Sequence, residues 1–391
     1  MSAVDALKLV AFYLPQFHSI PENDEWWGHG FTEWTSASQA RPQFRGHYQP
    51  QLPTELGFYD LRDPDVLEQQ AALASAYGIS GFCFHYYWFN GRRVLERPLD
   101  QMLASGRPEL PFCFCWANEN WTRRWDGRED QVLLRQDYAY GWADRFIRDL
   151  LPALVDPRYM RVEDAPLVLV YRALSLPEPQ RVAESWRSIA QSEGGIDLHL
   201  AAVQTGGLRD PRPFGFDAAV EFPPHAERLP LTRERVRDLT ADHQGEFYDY
   251  RRAMREFLGR PLPEHAWYRG VMPSWDNTAR RGRHGHVYLN SSPSEYALWL
   301  RKVVLQTLIR ARVQEPLVFL NAWNEWGEGT HLEPDDRYGR AWLEATLAGL
   351  RDGIRQYCAY RGELITAGEV IDRLERRPGQ SDNDLRTAAA Y

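Results

Sequence analysis

Residues 318–333, V-F-L-N-A-W-N-E-W-G-E-G-T-H-L-E, join an apolar run to a loop that carries two glutamates. The run begins at Leu317, and its continuous apolar character is typical of a parallel strand buried on both faces. Tryptophans and glycines surround Glu325 and Glu328 soon after the run ends at Leu320. Large apolar side chains in a loop are a liability unless something covers them. The segment therefore predicts a strand end with a functional loop rather than a solvated turn.

Similar apolar runs rich in Val, Phe and Tyr recur along the whole chain. The eight runs cover residues 9–14, 81–88, 111–116, 167–171, 198–203, 218–222, 268–275 and 317–322. Amphipathic stretches with helical spacing lie between most of them, at residues 65–77, 143–155, 178–191, 248–258, 294–311 and 340–357. This alternation predicts a single α/β fold, a (β/α)8 TIM barrel. An open doubly wound sheet, the alternative, would carry a G-x-G-x-x-G turn after its first strand, and none is present there.

The barrel is predicted to fill residues 1–373 as one catalytic domain, followed by a polar, flexible tail at residues 374–391. Helix starts are marked by Asp63-Pro64 and by Ser292-Pro293. Long loops follow strands one, three and six, and the first of them contains W-W-G-H-G-F-T-E-W. Loops of this length inside a compact domain are usually functional unless they are disordered. We therefore expect the active face at the C-terminal ends of the strands.

The composition restricts the partners of the protein. The 391 residues carry a net charge of −8, whereas nucleic acids and anionic membrane surfaces attract basic patches. No apolar run is long enough to cross a bilayer, and no secretory signal is visible at the start of the sequence. We therefore expect a cytoplasmic protein with no nucleic-acid partner and no membrane span. The sequence does not predict its oligomeric state.

The histidines and cysteines do not indicate a metal site. The four cysteines are Cys83, Cys113, Cys115 and Cys358. C-x-C without a second cysteine pair is a weak zinc signal, so we expect free, buried thiols. The histidines His18, His29 and His85 lack the H-E-x-x-H spacing. Neither a metal nor a cofactor is expected, and the absence of G-x-S-x-G argues against a serine esterase.

Carboxylates, amides and aromatic rings gather at the predicted strand ends, and this mixture suits a sugar. Paired carboxyl groups supply the acid and base of glycoside hydrolysis, which makes Glu325 and Glu328 the candidate catalytic residues. Asn, Asp and Glu can hold hydroxyls that both donate and accept, and indole faces can support the C–H face of a sugar ring. The candidate substrate-binding residues are Trp27, Glu33, Trp34, His85, Tyr86, Trp116, Asn118, Asn120, Trp121, Trp275, Asp276, Trp323, Asn324 and Trp326.

Five ordered motifs carry a resemblance to a known family. They are A-F-Y-L-P-Q-F-H, W-W-G-H-G-F-T-E-W, F-H-Y-Y-W-F, F-C-W-A-N-E-N-W and N-A-W-N-E-W-G-E-G. Together they resemble the WbsX-type proteins, which are also called the glycoside hydrolase family 99-like group. The resemblance runs from about residue 9 to about residue 357.

The resemblance implies a mechanism as well as a fold. Family 99 comprises (β/α)8 endo-acting α-mannosidases that retain anomeric configuration without a metal. In that pathway the 2-hydroxyl of the sugar attacks C1 and forms a 1,2-anhydro intermediate. Carried over by motif, Glu325 would be the base at the 2-hydroxyl and Glu328 the general acid/base at the leaving oxygen. The pair Trp326-Gly327 between them is smaller than the pair that family 99 mannosidases use.

Two alternatives to a hydrolase acting on an oligo- or polysaccharide stay open. WbsX-type proteins are associated with O-antigen and other lipopolysaccharide biosynthesis, and have been called glycosyltransferases. A sugar-nucleotide donor would require a diphosphate site. Its candidate residues here are Arg123, Arg124, Arg280, Arg281 and Arg283. The other alternative is a non-catalytic carbohydrate-binding protein, which the presence of both glutamates disfavours.

Overall fold

The computed structural model describes residues 2–123, 128–225, 229–311 and 315–362. Eight parallel strands form its centre, and each overlaps one of the predicted apolar runs. They are β1 (Lys8–Tyr13), β2 (Gly81–Phe89), β3 (Phe112–Trp116), β4 (Ala165–Val170), β5 (His199–Val203), β6 (Ala218–Val220), β7 (Ala266–Val271) and β8 (Leu317–Leu320). Every strand pairs with the next in sequence, and β1 also pairs with β8. The sheet is therefore a closed barrel, as predicted, and not an open doubly wound sheet.

Within the described residues, seven helices surround the barrel. They are α1 (Pro64–Ala76), α2 (Arg97–Ser105), α3 (Trp142–Leu154), α4 (Pro179–Ile189), α5 (Tyr250–Leu258), α6 (Pro293–Arg310) and α7 (Ala341–Tyr360). The two predicted helix starts are confirmed: Asp63 accepts a hydrogen bond from the amide of Asp65, and Ser292 accepts one from Glu295. The connection from β5 to β6 departs from the expected alternation, because it contains a single turn of 3₁₀ helix, Arg212–Phe214, where an α-helix would normally lie.

The loops at the C-terminal ends of the strands carry short elements of their own. The long loop after β1 contains two helices, Pro21–Trp27 and Glu33–Gln39, and the loop after β7 contains Thr278–Arg281. Short ladders join Trp121–Arg123 to Arg128–Leu134, and Phe247–Asp249 to Val287–Leu289. The loop after β8 folds into a small hairpin, Asn324–Glu325 with Thr330–His331. These elements hold the loops in place over the barrel mouth.

The prediction for β7 was too long at its C-terminal end. The run 268–275 suggested a strand as far as Trp275, but the strand ends at Val271. Pro273 has no amide hydrogen to donate, so the ladder cannot continue through it. The chain instead turns over the barrel mouth and brings Trp275 into the loops there.

The four cysteines are free and buried, as predicted. In the described part of the chain, none of the helices combines the length and hydropathy needed to span a bilayer. The predicted tail at residues 374–391, and the end of the predicted domain at residues 363–373, lie outside the described residues.

Candidate active site

A cleft of about 250 Å³ opens among the loops at the C-terminal ends of the strands. Glu325 and Glu328 both line it, together with aromatic side chains from β2 and from the loops after β1, β3 and β7. Glu325 is placed by its pairing with Thr330 in the small hairpin. A 3₁₀ turn, Trp326–Glu328, then carries Glu328 to the cleft wall. The turn thus brings both glutamates to the same cleft, with Glu325 directly before the turn and Glu328 at its end.

One guanidinium group links the carboxylates at this site. Arg280 donates from Nη2 to Glu325 at 2.6 Å and from Nε to Glu33 at 2.7 Å, and its Nη1 lies 2.8 Å from Glu328. The Glu33 side chain is fully buried, that of Glu325 is 8% exposed and that of Glu328 is 24% exposed. Exposure thus increases from the buried Glu33 to the cleft wall. We call these four residues the carboxylate clamp.

The clamp explains the glycine between the two glutamates. A Cβ atom at Gly327 would lie 1.8 Å from Oε1 of Glu33 and 2.9 Å from Nε of Arg280. Real Cβ atoms essentially never approach other heavy atoms so closely, and both neighbours belong to a buried ion pair. The E-W-G-E motif therefore needs glycine at its third position in order to let Glu33 and Arg280 lie against it.

The surroundings of Glu325 raise the affinity of its carboxylate for a proton. Burial raises the pKa of the Glu325 carboxyl, the Arg280 guanidinium opposes this, and the nearby Glu33 carboxylate raises the pKa further. The clamp contains three carboxylates and one guanidinium, so full ionisation would leave excess negative charge in a desolvated region. His85 lies at the edge of the cluster, with its Nε2 3.9 Å from Glu325. This environment makes Glu325 more basic than an exposed glutamate.

Five of the predicted substrate-binding residues line the cleft with the glutamates. They are Trp27, His85, Asn120, Trp121 and Trp275. Sequence reasoning did not select Tyr171, Phe222 and His225, which also line it. The hydroxyl of Tyr171 lies 3.1 Å from Nε2 of His225, and the His225 ring stacks on Phe222. The available signal was their position at the ends of β4 and β6.

Comparison with known proteins agrees with this architecture. Residues 9–346 match the family described as "Glycosyltransferase WbsX". The chain belongs to that family. Two relatives described as "Uncharacterized protein WxcX", from two strains of Xanthomonas campestris pv. campestris, are each 50% identical to the WbsX-family chain over 370 residues. The alignments cover 94% of this chain and 53% of each relative, so the chain spans about half the length of those proteins.

Solved structures show the same fold for this WbsX-family chain. A "Glycoside hydrolase-like protein" has a TM-score of 0.54 at 15% identity, and the match covers 88% of this chain and 94% of that one. The GH99 endo-alpha-mannosidase from Bacteroides thetaiotaomicron has a TM-score of 0.54 at 12% identity, and covers 90% and 98% of the two chains. At such low identities these matches establish the barrel fold alone.

The remaining predicted substrate-binding residues of the WbsX-family chain lie outside the cleft wall. Glu33 sits behind it in the clamp, so its contact with the site is made through Arg280. Trp34, Trp323 and Trp326 are buried in the core. The Trp34 indole donates to the carbonyl of Tyr59, and the Trp326 indole donates to the buried Glu333. Direct contact between these three tryptophans and a substrate is therefore corrected to a packing role.

Two further aromatic residues face away from the barrel interior. Tyr86 stacks on Phe114, and Trp116 stacks on Phe146 of α3 with ring centroids 4.2 Å apart. Successive side chains of a strand point to opposite faces, so Tyr86 points outward when His85 points to the barrel axis. For both residues the structure corrects the expectation of substrate contact, because they fill the layer between the barrel and its helices.

The three other polar candidates hold loops rather than line the cleft. Asn324 accepts from the amide of Leu14 at 2.7 Å and donates to the carbonyl of the same residue at 3.0 Å. Asn118 makes the same pair of bonds with the backbone of Arg172. Asp276 accepts from His47 and Gln49 of the first loop. Their amide and carboxylate groups are engaged with the protein, so their predicted substrate contacts are corrected to structural ones.

Proposed function

We propose that this protein is a retaining glycoside hydrolase that cleaves glycans with Glu325 as base and Glu328 as general acid/base. The observation that carries the proposal is the clamp, because two cleft-lining carboxylates are bound to two nitrogens of one guanidinium. That arrangement holds both carboxyl groups close together on the cleft wall, which supports their joint action on one sugar ring. The substrate that we propose is an α-mannoside-like or bacterial surface polysaccharide, cleaved internally.

The environment of Glu325 suits a base. The hydrogen bond from Arg280 lowers the pKa of Glu325 and so favours the carboxylate, which is the form that can accept a proton. Burial and the Glu33 carboxylate raise the same pKa, which makes that carboxylate a stronger base. In the proposed first step, O2 of the sugar attacks C1, its proton passes to Glu325, and the bond from C1 to the leaving oxygen breaks. Glu328 supplies the proton that the leaving oxygen takes. The product of this step is a 1,2-anhydro sugar, with no bond between sugar and protein.

The second step returns both glutamates to their starting states. Water attacks C1 while Glu328 takes its proton, and Glu325 returns a proton to O2 as the anhydro ring opens. Glu328 is the more exposed of the pair, which suits a residue that must exchange a proton with water. The indoles of Trp27, Trp121 and Trp275 line the same cleft and offer apolar faces for the sugar rings.

Glycosyl transfer is the second candidate, because the family description names it. A nucleotide diphosphate needs basic groups that are available to it. Arg280 already contacts three carboxylates, and Arg172 on the cleft wall is paired with Glu119. Arg283 is half-exposed and faces Asp242. Arg124 and the side chain of Arg123 lie outside the described residues. Arg281 also lines the cleft, so the support for hydrolysis over transfer comes from the pairing of Arg280 and Arg172 with carboxylates.

The test is incubation of the protein with a panel of α-mannan oligosaccharides and purified bacterial surface polysaccharides, with detection of new reducing ends. Glu325→Gln and Glu328→Gln are expected to lower turnover by about 10²–10⁴-fold each, since one positioned proton-transfer group contributes that much. EDTA should have no effect, and a 2-deoxy substrate should be cleaved poorly. Nucleotide release from sugar-nucleotide donors, without new reducing ends, would establish transfer instead. Full activity of both variants would refute the assignment of the glutamates.

A bound ester on Glu325 would identify a different retaining route. The two-carboxylate mechanism forms a covalent glycosyl-enzyme intermediate, and the 2-hydroxyl is not its nucleophile. Efficient cleavage of the 2-deoxy substrate, together with a trapped sugar ester, would therefore replace the anhydro mechanism while leaving the hydrolase assignment in place.

A further inference from the structure

A second cavity, of about 690 Å³, lies beside the cleft on the outer wall of the barrel. It is lined by the loop after β5, residues 204–212, and by the segment before β7, residues 260–267. The β5–β6 connection has no α-helix there, so loops cover the outer face of the sheet instead. Binding pockets for small ligands typically measure about 300–1,000 Å³, so this cavity has room for one or more sugar residues.

The second cavity adjoins the cleft at one side chain. His225 lines both of them. Its ring is held by the Tyr171 hydroxyl and by stacking on Phe222, and the ring of Trp275 lies 6.2 Å away. A glycan that extends out of the cleft past His225 would therefore reach the second cavity.

The lining of this cavity combines polar and apolar groups. Gln204 accepts a hydrogen bond from the indole of Trp267 and donates to the carbonyl of Arg209. Nε2 of the buried His265 has no hydrogen-bond partner among the described residues. Leu262 is 56% exposed at the rim. The His265 imidazole and the apolar surface of Leu262 lie in one concave site and suit a sugar, whose ring presents hydroxyls at its edge and C–H groups on its faces.

We infer that this second cavity binds sugar residues of the same glycan chain, beyond those held in the cleft. The inference rests on the proposed function, since it takes a polymeric glycan as the substrate. It assigns chain-length preference to residues 204–212 and 260–267, none of which lines the cleft with the two proposed catalytic glutamates. Long glycans should therefore bind more tightly than short ones, and only the long ones should depend on this cavity.

A pair of matched variants tests the chain-length effect. Leu262→Trp adds bulk at the rim of the second cavity, whereas Leu231→Trp makes the same change at a similarly exposed leucine, 53% against 56%, that lies on neither cavity. With a long α-mannan oligosaccharide or a surface polysaccharide, Leu262→Trp should weaken binding about tenfold, the equivalent of roughly 1.4 kcal/mol. Binding of a disaccharide should be unchanged in both variants. An unchanged affinity of Leu262→Trp for the long glycan would overturn the inference.

Hydrogen exchange separates this inference from the proposed function. The Glu328→Gln variant is incubated with the same glycans, and amide protection is followed in the cleft and at residues 204–212 and 260–267. Protection of both regions supports a glycan that spans them. Protection of the cleft alone overturns the inference that the second cavity binds glycan, and leaves the hydrolase proposal intact. Protection of the second cavity alone overturns the hydrolase proposal and the spanning glycan, and protection of neither region overturns both.

Discussion

Replacement of Arg280 by glutamine tests the carboxylate clamp most directly. The substitution removes the cation from three carboxylates, of which Glu33 is fully buried and Glu325 nearly so. Breaking a buried ion pair by removing one partner typically costs about 3–5 kcal/mol, because it leaves an uncompensated charge. We therefore expect the free energy of unfolding of Arg280→Gln to fall by about that amount at neutral pH. Under the proposed mechanism glycan cleavage should fall as well, because the two carboxylates proposed as catalytic lose their common anchor.

The loss of stability should depend on pH in a defined direction. Without Arg280, burial and the nearby Glu33 carboxylate are left unopposed, so the pKa of Glu325 lies further above its unfolded value. Groups with a raised pKa bind more protons in the folded state, so the stability of the variant should fall as pH rises. The stability deficit of the variant relative to the wild type should therefore be smallest in acid, where the Glu325 carboxyl is protonated and neutral.

Urea unfolding followed by tryptophan fluorescence, at acidic and neutral pH, measures both effects. Arg283→Gln is the matched control, since Arg283 lies three residues further on, is 53% exposed and faces Asp242 at 3.4 Å. Exposed ion pairs contribute about 0–1 kcal/mol, so the control should change little. If Arg280→Gln unfolds like the control, with no greater loss at neutral pH, the clamp does not stabilise the site as argued.

Three further predictions concern the surroundings of the clamp. In Gly327→Ala the added Cβ would collide with Glu33, and a displacement near 1 Å can lower catalysis by about 10²-fold, so glycan cleavage should fall by that factor. Normal turnover would show that Gly327 and Glu33 need not approach each other so closely. Burial raises the pKa of Glu333 to about 7, so wild-type stability should decline between about pH 4.5 and 7. Glu333→Gln should abolish that decline, and identical pH profiles in urea titrations would disprove the assignment. Asp276→Asn replaces a carboxylate oxygen that accepts from the buried His47, so the free energy of unfolding should fall by about 1–3 kcal/mol. The same urea titrations measure this loss, and an unchanged midpoint would contradict it.

The fold could be predicted from the sequence because each strand carries its own signal. Apolar runs such as residues 317–322 are buried on both faces, and the helical stretches between them allow few arrangements other than a barrel. No helical stretch was predicted between the fifth and sixth runs, and the structure has only a 3₁₀ turn in that connection. The limit of β7 was set by Pro273, which a search for apolar character alone passes over.

The site was predicted in part, and the errors have physical causes. Position at a strand end identifies a region but gives no direction, so Tyr86 was grouped with His85 although alternation turns it outward. Trp323 and Trp326 lie within two positions of Glu325 in the sequence, yet both are buried. The role of Arg280 could not be inferred at all, because it depends on a contact with a residue 247 positions away.

That separation has a consequence for how the protein acquires its chemistry during synthesis. Glu33 leaves the ribosome long before Arg280, and Arg280 precedes Glu325 by a further 45 positions. The barrel closes only when β8 pairs with β1, near both ends of the described chain. In a nascent chain that ends before β8, Glu33 of the first loop is already present, but Glu325, which shares Arg280 with it, is not. Catalytic competence should arise in one late step, when the last strand closes the barrel and the three acids meet a single cation.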